Sequence, residues 1–219
     1  MNAQAWQSSI KELRIHLKRA LSGPLPAAAA HQLMAPRPRP GWDPEATAPE
    51  GRPAAVLAVM YPVDGRPTLL LTKRTDSLEF HRGQVAFPGG AIEEGESVEE
   101  AALRETEEEM GFKVAPSSIL GRLSPLWIPA TGYTATPVVA TLEARPAFAP
   151  DAREVERTIE VALSALIEPG AVRTDAHSAD GWWREVRHFP VDGDRLWGAT
   201  AMMTAELLVL LGLGGPETR

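Results

Sequence analysis

Between residues 5 and 21, Trp6, Ile10, Leu13, Leu17 and Leu21 recur near helical spacing with Lys and Arg between them, which predicts an amphipathic helix. From Pro24 to Pro53 that pattern stops. Pro24, Pro26, Pro36, Pro38, Pro40, Pro44, Pro49 and Pro53 exclude a long helix, and the stretch reads as an extended connection anchored by Leu33 and Trp42. Two short apolar runs follow, 54–62 and 68–74, and read as strands. Asp64-Gly65 between them is a hairpin-type turn. After a Gly-rich segment, GQVAFPGG (83–90), comes an acidic helix. Further strands are expected over 120–127, 136–143 and 156–161, a short helix over 164–170, a strand edge over 182–189 and a terminal helix over 199–211. Helices and strands mix without regular βαβ alternation, which favours an α+β domain with layered sheet and helices. The expected division is an N-terminal helix and connection over 1–52 and one folded domain over 53–219.

The acidic helix departs from ordinary helix design. Ser97 and Glu100 form a capping-box signature at its start, and Gly111 sits where a glycine ends a helix. Glu105, Glu108 and Glu109 are related by three and four residues and share one face in the last turn and a half. Like charges at that spacing repel by about 0.2–0.5 kcal/mol per pair, and the negative end of the helix dipole adds roughly 0.3–1 kcal/mol for each. A hard divalent cation, Mg²⁺ or Mn²⁺, offsets such a cluster, since it prefers carboxylate oxygens. A solvated acidic face produces the same pattern in a helix that stands alone.

Charge adds to this picture. The chain carries a net −7, yet residues 93–109 hold nine carboxylates against one base, Arg104. That local −8 exceeds the total, so the rest of the chain is close to neutral and its negative charge is concentrated in one place. An acidic chain lacks the basic face of a nucleic-acid binder and the polybasic patch of a membrane-surface protein. There is no cysteine, which excludes disulfides and thiolate chemistry. No apolar run of spanning length or signal-peptide type is present, so the expectation is a cytoplasmic protein.

The spacing also carries a resemblance. Gly90, five residues, Glu96, seven residues, then Arg104-Glu105-Thr106-Glu107-Glu108-Glu109-Met110-Gly111-Phe112 resembles the Nudix box, G-x5-E-x7-R-E-U-x-E-E-x-G-U, with U aliphatic. Thr106 stands at one aliphatic position and can pack its methyl there. The resemblance implies a Nudix fold, a mixed β-sheet between helices in an α/β/α sandwich. It implies hydrolysis of a nucleoside diphosphate linked to another group. By the same resemblance Glu105, Glu108 and Glu109 hold the metal, with the Gly90 carbonyl near it, while Arg104 and Glu96 stiffen the loop. Arg104 and the three glutamates are then the catalytic set, and Glu105 stays open as ligand or general base.

The segment LLTKRTDSLEFHRGQVAFPGG (70–90) resembles the signature upstream of the box in coenzyme A pyrophosphatases, L-L-T-x-R-S/A-x3-R-x3-G-x-V/I-A/S-F-P-G-G. Leu70, Leu71, Thr72, Arg74, Gly83, Val85, Ala86, Phe87, Pro88, Gly89 and Gly90 match. Thr75 and Glu79 depart, the second by reversing a charge. Segments 133–143, 153–169 and 195–211 are similar to later parts of the same subfamily. This implies a small nucleotide substrate, CoA or acyl-CoA, cut to 3′,5′-ADP and (acyl-)4′-phosphopantetheine; Arg74, which matches the signature, is a candidate substrate-phosphate contact, and Arg82 and His81 are candidates to replace the Arg that Glu79 removes. Glu156 is a candidate additional carboxylate. Three alternatives stay open: another Nudix substrate such as ADP-ribose, NADH or a dinucleoside polyphosphate; a non-catalytic Nudix-like module; and, for Trp182, Trp183 and Trp197, core or homodimer contacts against adenine stacking.

Overall fold

In the computed structural model, residues 5–37, 51–77, 82–179 and 182–212 are described. A mixed sheet forms the middle layer. Its central strand, β1 (Arg52–Val63), runs parallel to β7 (Tyr133–Thr141) along one edge. The other edge is shared. The last residues of β1 pair antiparallel with β2 (Arg66–Arg74) across the expected two-residue turn, where Asp64 and Gly65 both take positive φ. Near its start, β1 pairs instead with β4 (Gly89–Ala91), while β3 (Val85–Ala86) pairs with the far end of β2. Strands β1 and β2 therefore splay, and the Gly-rich segment fills the gap. β8 (Val155–Ala162) covers the outer edge of β2, and β5 (Ile119–Arg122) and β6 (Leu126–Ile128) pair with β7.

Alternate residues of the central strands supply two cores. Ala55, Leu57, Val59 and Tyr61 of β1 face α3 (Val98–Met110), whose Ala101, Ala102 and Met110 pack against them. Ala54, Ala58 and Met60 face the other layer, which contains α1 (Ile10–Ala20), α4 (Gly198–Leu210) and a small sheet of β9 (Arg173–Ala179), β10 (Trp182–Val191) and β11 (Asp194–Leu196). Burial on both faces explains why β1 and β2 read as continuous apolar runs. The architecture is the expected α/β/α sandwich with a mixed sheet. Trp6, Leu13, Leu17, Met34 and Ala35 belong to the second core, so the N-terminal segment packs into the same body as residues 53–212. No helix among the described residues is long and apolar enough to cross a membrane.

Several elements differ from expectation. The strand over 120–127 is two strands, because Pro125 has no N–H to give a ladder and Ser124 gives both its N–H and its hydroxyl to Glu206 of α4. The N-terminal helix splits at Ser9, which caps α1 by accepting from Glu12 N; Ala5–Ser8 is a tighter turn. The Pro/Ala-rich stretch holds a short helix, α2 (Ala27–His31), where four alanines in a row favour it. Residues 164–170 form only a brief 3₁₀ turn, Leu163–Leu166. The expected strand at 182–189 has partners on both sides, β9 and β11, that carry no apolar alternation of their own. Trp42 lies outside the described residues.

Candidate active site

The site is built at the C-terminal end of α3. The helix starts as expected: the Ser97 side chain and the Glu100 side chain satisfy each other's backbone N–H groups. It ends at Gly111, at φ 72°, whose N–H bonds Glu107 O at 2.8 Å. Thr106 is fully buried and returns its hydroxyl to Ala102 O at 2.7 Å, so a threonine takes the aliphatic position with no polar atom left over.

Glu105, Glu108 and Glu109 share the face seen in the sequence, and two arginines meet them. The five N–H donors of Arg104 are all engaged. Nε and Nη2 hold Glu96 at 2.8 and 3.0 Å, and Nη2 also reaches Ala91 O at 3.1 Å. Nη1 lies between Glu105 Oε1 at 2.9 Å and Glu108 Oε2 at 3.0 Å. Glu96 in turn accepts from Glu93 N, closing the loop before the helix. Glu109, 2% exposed, accepts from Arg74 Nη1 at 3.0 Å and from Gly89 N at 3.3 Å. Gly90 lies against Glu105: a Cβ there would sit 2.5 Å from its carboxyl group.

The charges are poorly balanced. The pKa of Glu109 is raised to about 7, chiefly by burial, with Glu154 and Glu105 pushing it up and Arg74 and the Gly89 N–H pulling it down. Burial also raises Glu105, with Arg104 opposing and Glu108 and Glu154 adding repulsion. Among the described residues no three carboxylate or imidazole groups converge closely enough to hold a metal ion as they stand.

Other sequence candidates are placed as follows. Arg74 reaches the site, but its contact is Glu109. The Glu156 carboxylate meets Lys73 Nζ at 3.1 Å. Glu154 is the late carboxylate whose charge acts on Glu105 and Glu109. Arg82 lies in the turn before β3, and His81 and Glu79 lie outside the described residues.

Residues 51–183 match the family model described as NUDIX domain. A protein described as "Uncharacterized Nudix hydrolase NudL" from Escherichia coli O7:K1 (strain IAI39 / ExPEC) is 36% identical over 166 residues, 71% of this chain and 82% of that protein. One of the same description from Photorhabdus laumondii subsp. laumondii is 34% identical over 177 residues, 80% of this chain and 91% of that one. A solved structure, a MutT/nudix family protein from Enterococcus faecalis, is similar in fold, with a TM-score of 0.50 at 16% identity over 92% of this chain and 71% of that one.

Proposed function

The chain belongs to the Nudix family and is a hydrolase of a nucleoside diphosphate derivative, and we propose that its substrate is coenzyme A or an acyl-CoA, cleaved with Mg²⁺ or Mn²⁺ at the end of α3. The similarity of residues 70–90 to the CoA signature carries the choice of substrate, and the surplus of buried carboxylate at the end of α3 carries the choice of a cation. Glu105, Glu109 and Glu154 repel one another, while Arg74 pairs with Glu109 and Arg104 with Glu105 and Glu108.

The donor set suits a hard cation: carboxylate oxygens and a neighbouring backbone segment free of Cβ at Gly90. Glu105, Glu108, Glu109 and the Gly90 carbonyl would hold it. When bound, such a cation neutralises pyrophosphate charge and lowers the pKa of a bound water. The chain's own residues do the rest. Arg104 fixes the loop to the helix through Glu96 and Ala91 O, so the carboxylates keep one orientation. Arg82 and His81, both from the segment that resembles the CoA signature, are the proposed contacts to substrate phosphate. Hydrolysis consumes one water, breaks one bond of the P–O–P bridge and yields 3′,5′-ADP and (acyl-)4′-phosphopantetheine. Glu79, an acid where the signature has Arg, favours a second reading, another nucleoside diphosphate derivative such as ADP-ribose.

The deciding assay incubates the purified chain with Mg²⁺ or Mn²⁺ and CoA, ADP-ribose, NADH and diadenosine polyphosphates in parallel. Release of 3′,5′-ADP from CoA is the expected result. Turnover of ADP-ribose well above CoA would remove the CoA assignment, and turnover of none would remove catalysis.

A further inference from the structure

We propose that Arg74 is a positioning residue for Glu109, and that the described parts of the upstream segment, residues 72–77 and 82–90, work as a clamp on this one carboxylate. The inference rests on the proposed role of Glu109 as a cation ligand.

Both donors to Glu109 come from that segment, one to each oxygen: Arg74 Nη1 to Oε1 at 3.0 Å and Gly89 N to Oε2 at 3.3 Å. Each is fixed by the backbone independently of the carboxylate. Arg74 N donates to Gln84 O at 3.0 Å, and the pairing of β2 with β8 shifts register between Lys73 and Arg74. The two neighbours diverge in partner: Lys73 Nζ meets Glu156 and Asp194, whereas Arg74 meets Glu109 on α3. Gly89 stands at φ 148°, where its missing Cβ would lie 2.3 Å from Ala55 O, so only glycine lets its N–H come this close. Pro88 O accepts from Leu57 N at 2.8 Å and pins the same segment to β1. A glutamate that is 2% exposed, with a donor on each oxygen, has lost its rotamer freedom before any cation arrives. Arg74 therefore acts on the reaction through Glu109, and the contact to substrate phosphate expected from the sequence is not its role.

A double-mutant cycle tests this, read by Mn²⁺ binding without substrate from the EPR signal of free Mn²⁺. R74Q should weaken Mn²⁺ binding about fivefold or more, R74K less than R74Q, and R74Q should change it by less than about twofold once E109Q is present. With CoA, kcat of R74Q should fall about tenfold or more while KM stays within about threefold. Unchanged or tighter Mn²⁺ binding in R74Q, or an equal loss with and without E109Q, overturns the proposal. A KM raised about tenfold with kcat retained overturns it too, and assigns Arg74 to substrate. If circular dichroism shows R74Q unfolded, R74K with and without E109Q decides by the same criterion. A chain with this Mn²⁺ coupling that leaves CoA intact would sink the CoA reading and leave this inference standing.

Discussion

Arg104 grips Glu96 by two parallel contacts, Nε to Oε1 at 2.8 Å and Nη2 to Oε2 at 3.0 Å, while its remaining donors reach Glu105, Glu108 and Ala91 O. One guanidinium thus ties the loop before α3 to the carboxylates near its end. Lysine keeps the charge but cannot serve two oxygens of Glu96 and the helix face together. Arg104→Lys is expected to lower kcat about 10- to 100-fold and to cost roughly 1–3 kcal/mol in urea unfolding. Wild-type turnover in that variant would refute the role given to the fork.

Glu109→Gln should remove turnover while sparing the fold. The amide is the same size, keeps an acceptor for Arg74 or Gly89, and removes a charge that burial already disfavours. The expected loss in kcat is about a thousandfold, with a urea midpoint close to wild type. An active variant would show that Glu109 is not a ligand.

The adjacent glycines should fail differently. At Gly89 a Cβ would strike backbone, Ala55 O at 2.3 Å and Val56 Cα at 2.5 Å, at a φ that L residues avoid. Gly89→Ala is expected to cost about 3 kcal/mol or more. At Gly90 the three atoms nearest the Cβ, at 2.5–2.6 Å, all belong to the carboxyl end of the Glu105 side chain, which can turn aside. Gly90→Ala should unfold within about 1 kcal/mol of wild type yet lose about tenfold in Mn²⁺ affinity and turnover. Full activity in Gly90→Ala would place Glu105 outside the metal site.

The parts of this protein legible in the sequence are those set by local chemistry. Ser97 with Glu100, Gly111 and Asp64-Gly65 each determine a cap or turn within four residues, and all stand where expected. The parts that were not legible depend on distant partners. Residues 120–127 look like one strand until Ser124 is seen bonded to Glu206, 82 positions away. The Pro-rich stretch excludes a long helix, but α2 is held by His31, whose partner is again Glu206. Glu154 and Glu156 are alike in sequence. Their separate destinations follow the register shift of β8 against Lys73 and Arg74. Strands β9 and β11 are too polar to show a buried face, and they are defined by pairing with β10.

Glu206 gives the last prediction. Its carboxylate is fully buried in α4 and accepts from Ser124 Oγ at 2.6 Å, His31 Nε2 at 3.0 Å and Ala27 N at 3.1 Å, joining the N-terminal segment to the body. Burial alone would raise its pKa, but the donors from His31, Ser124 and Ala27 outweigh burial and hold it below its ordinary 4.5. A carboxylate with a depressed folded pKa stabilises the fold fully above its unfolded value and loses that contribution as pH falls through the folded one. Glu206→Gln places an amide against these donors and should cost about 3–5 kcal/mol near neutral pH. The gap between wild type and variant should then stay constant down to about pH 4.5 and shrink below it as the wild-type carboxylate takes up its proton. Urea midpoints of both chains from about pH 7 to 3.5 measure this. A gap that is unchanged at the acid end would mean that the donors around Glu206 do not stabilise its charge.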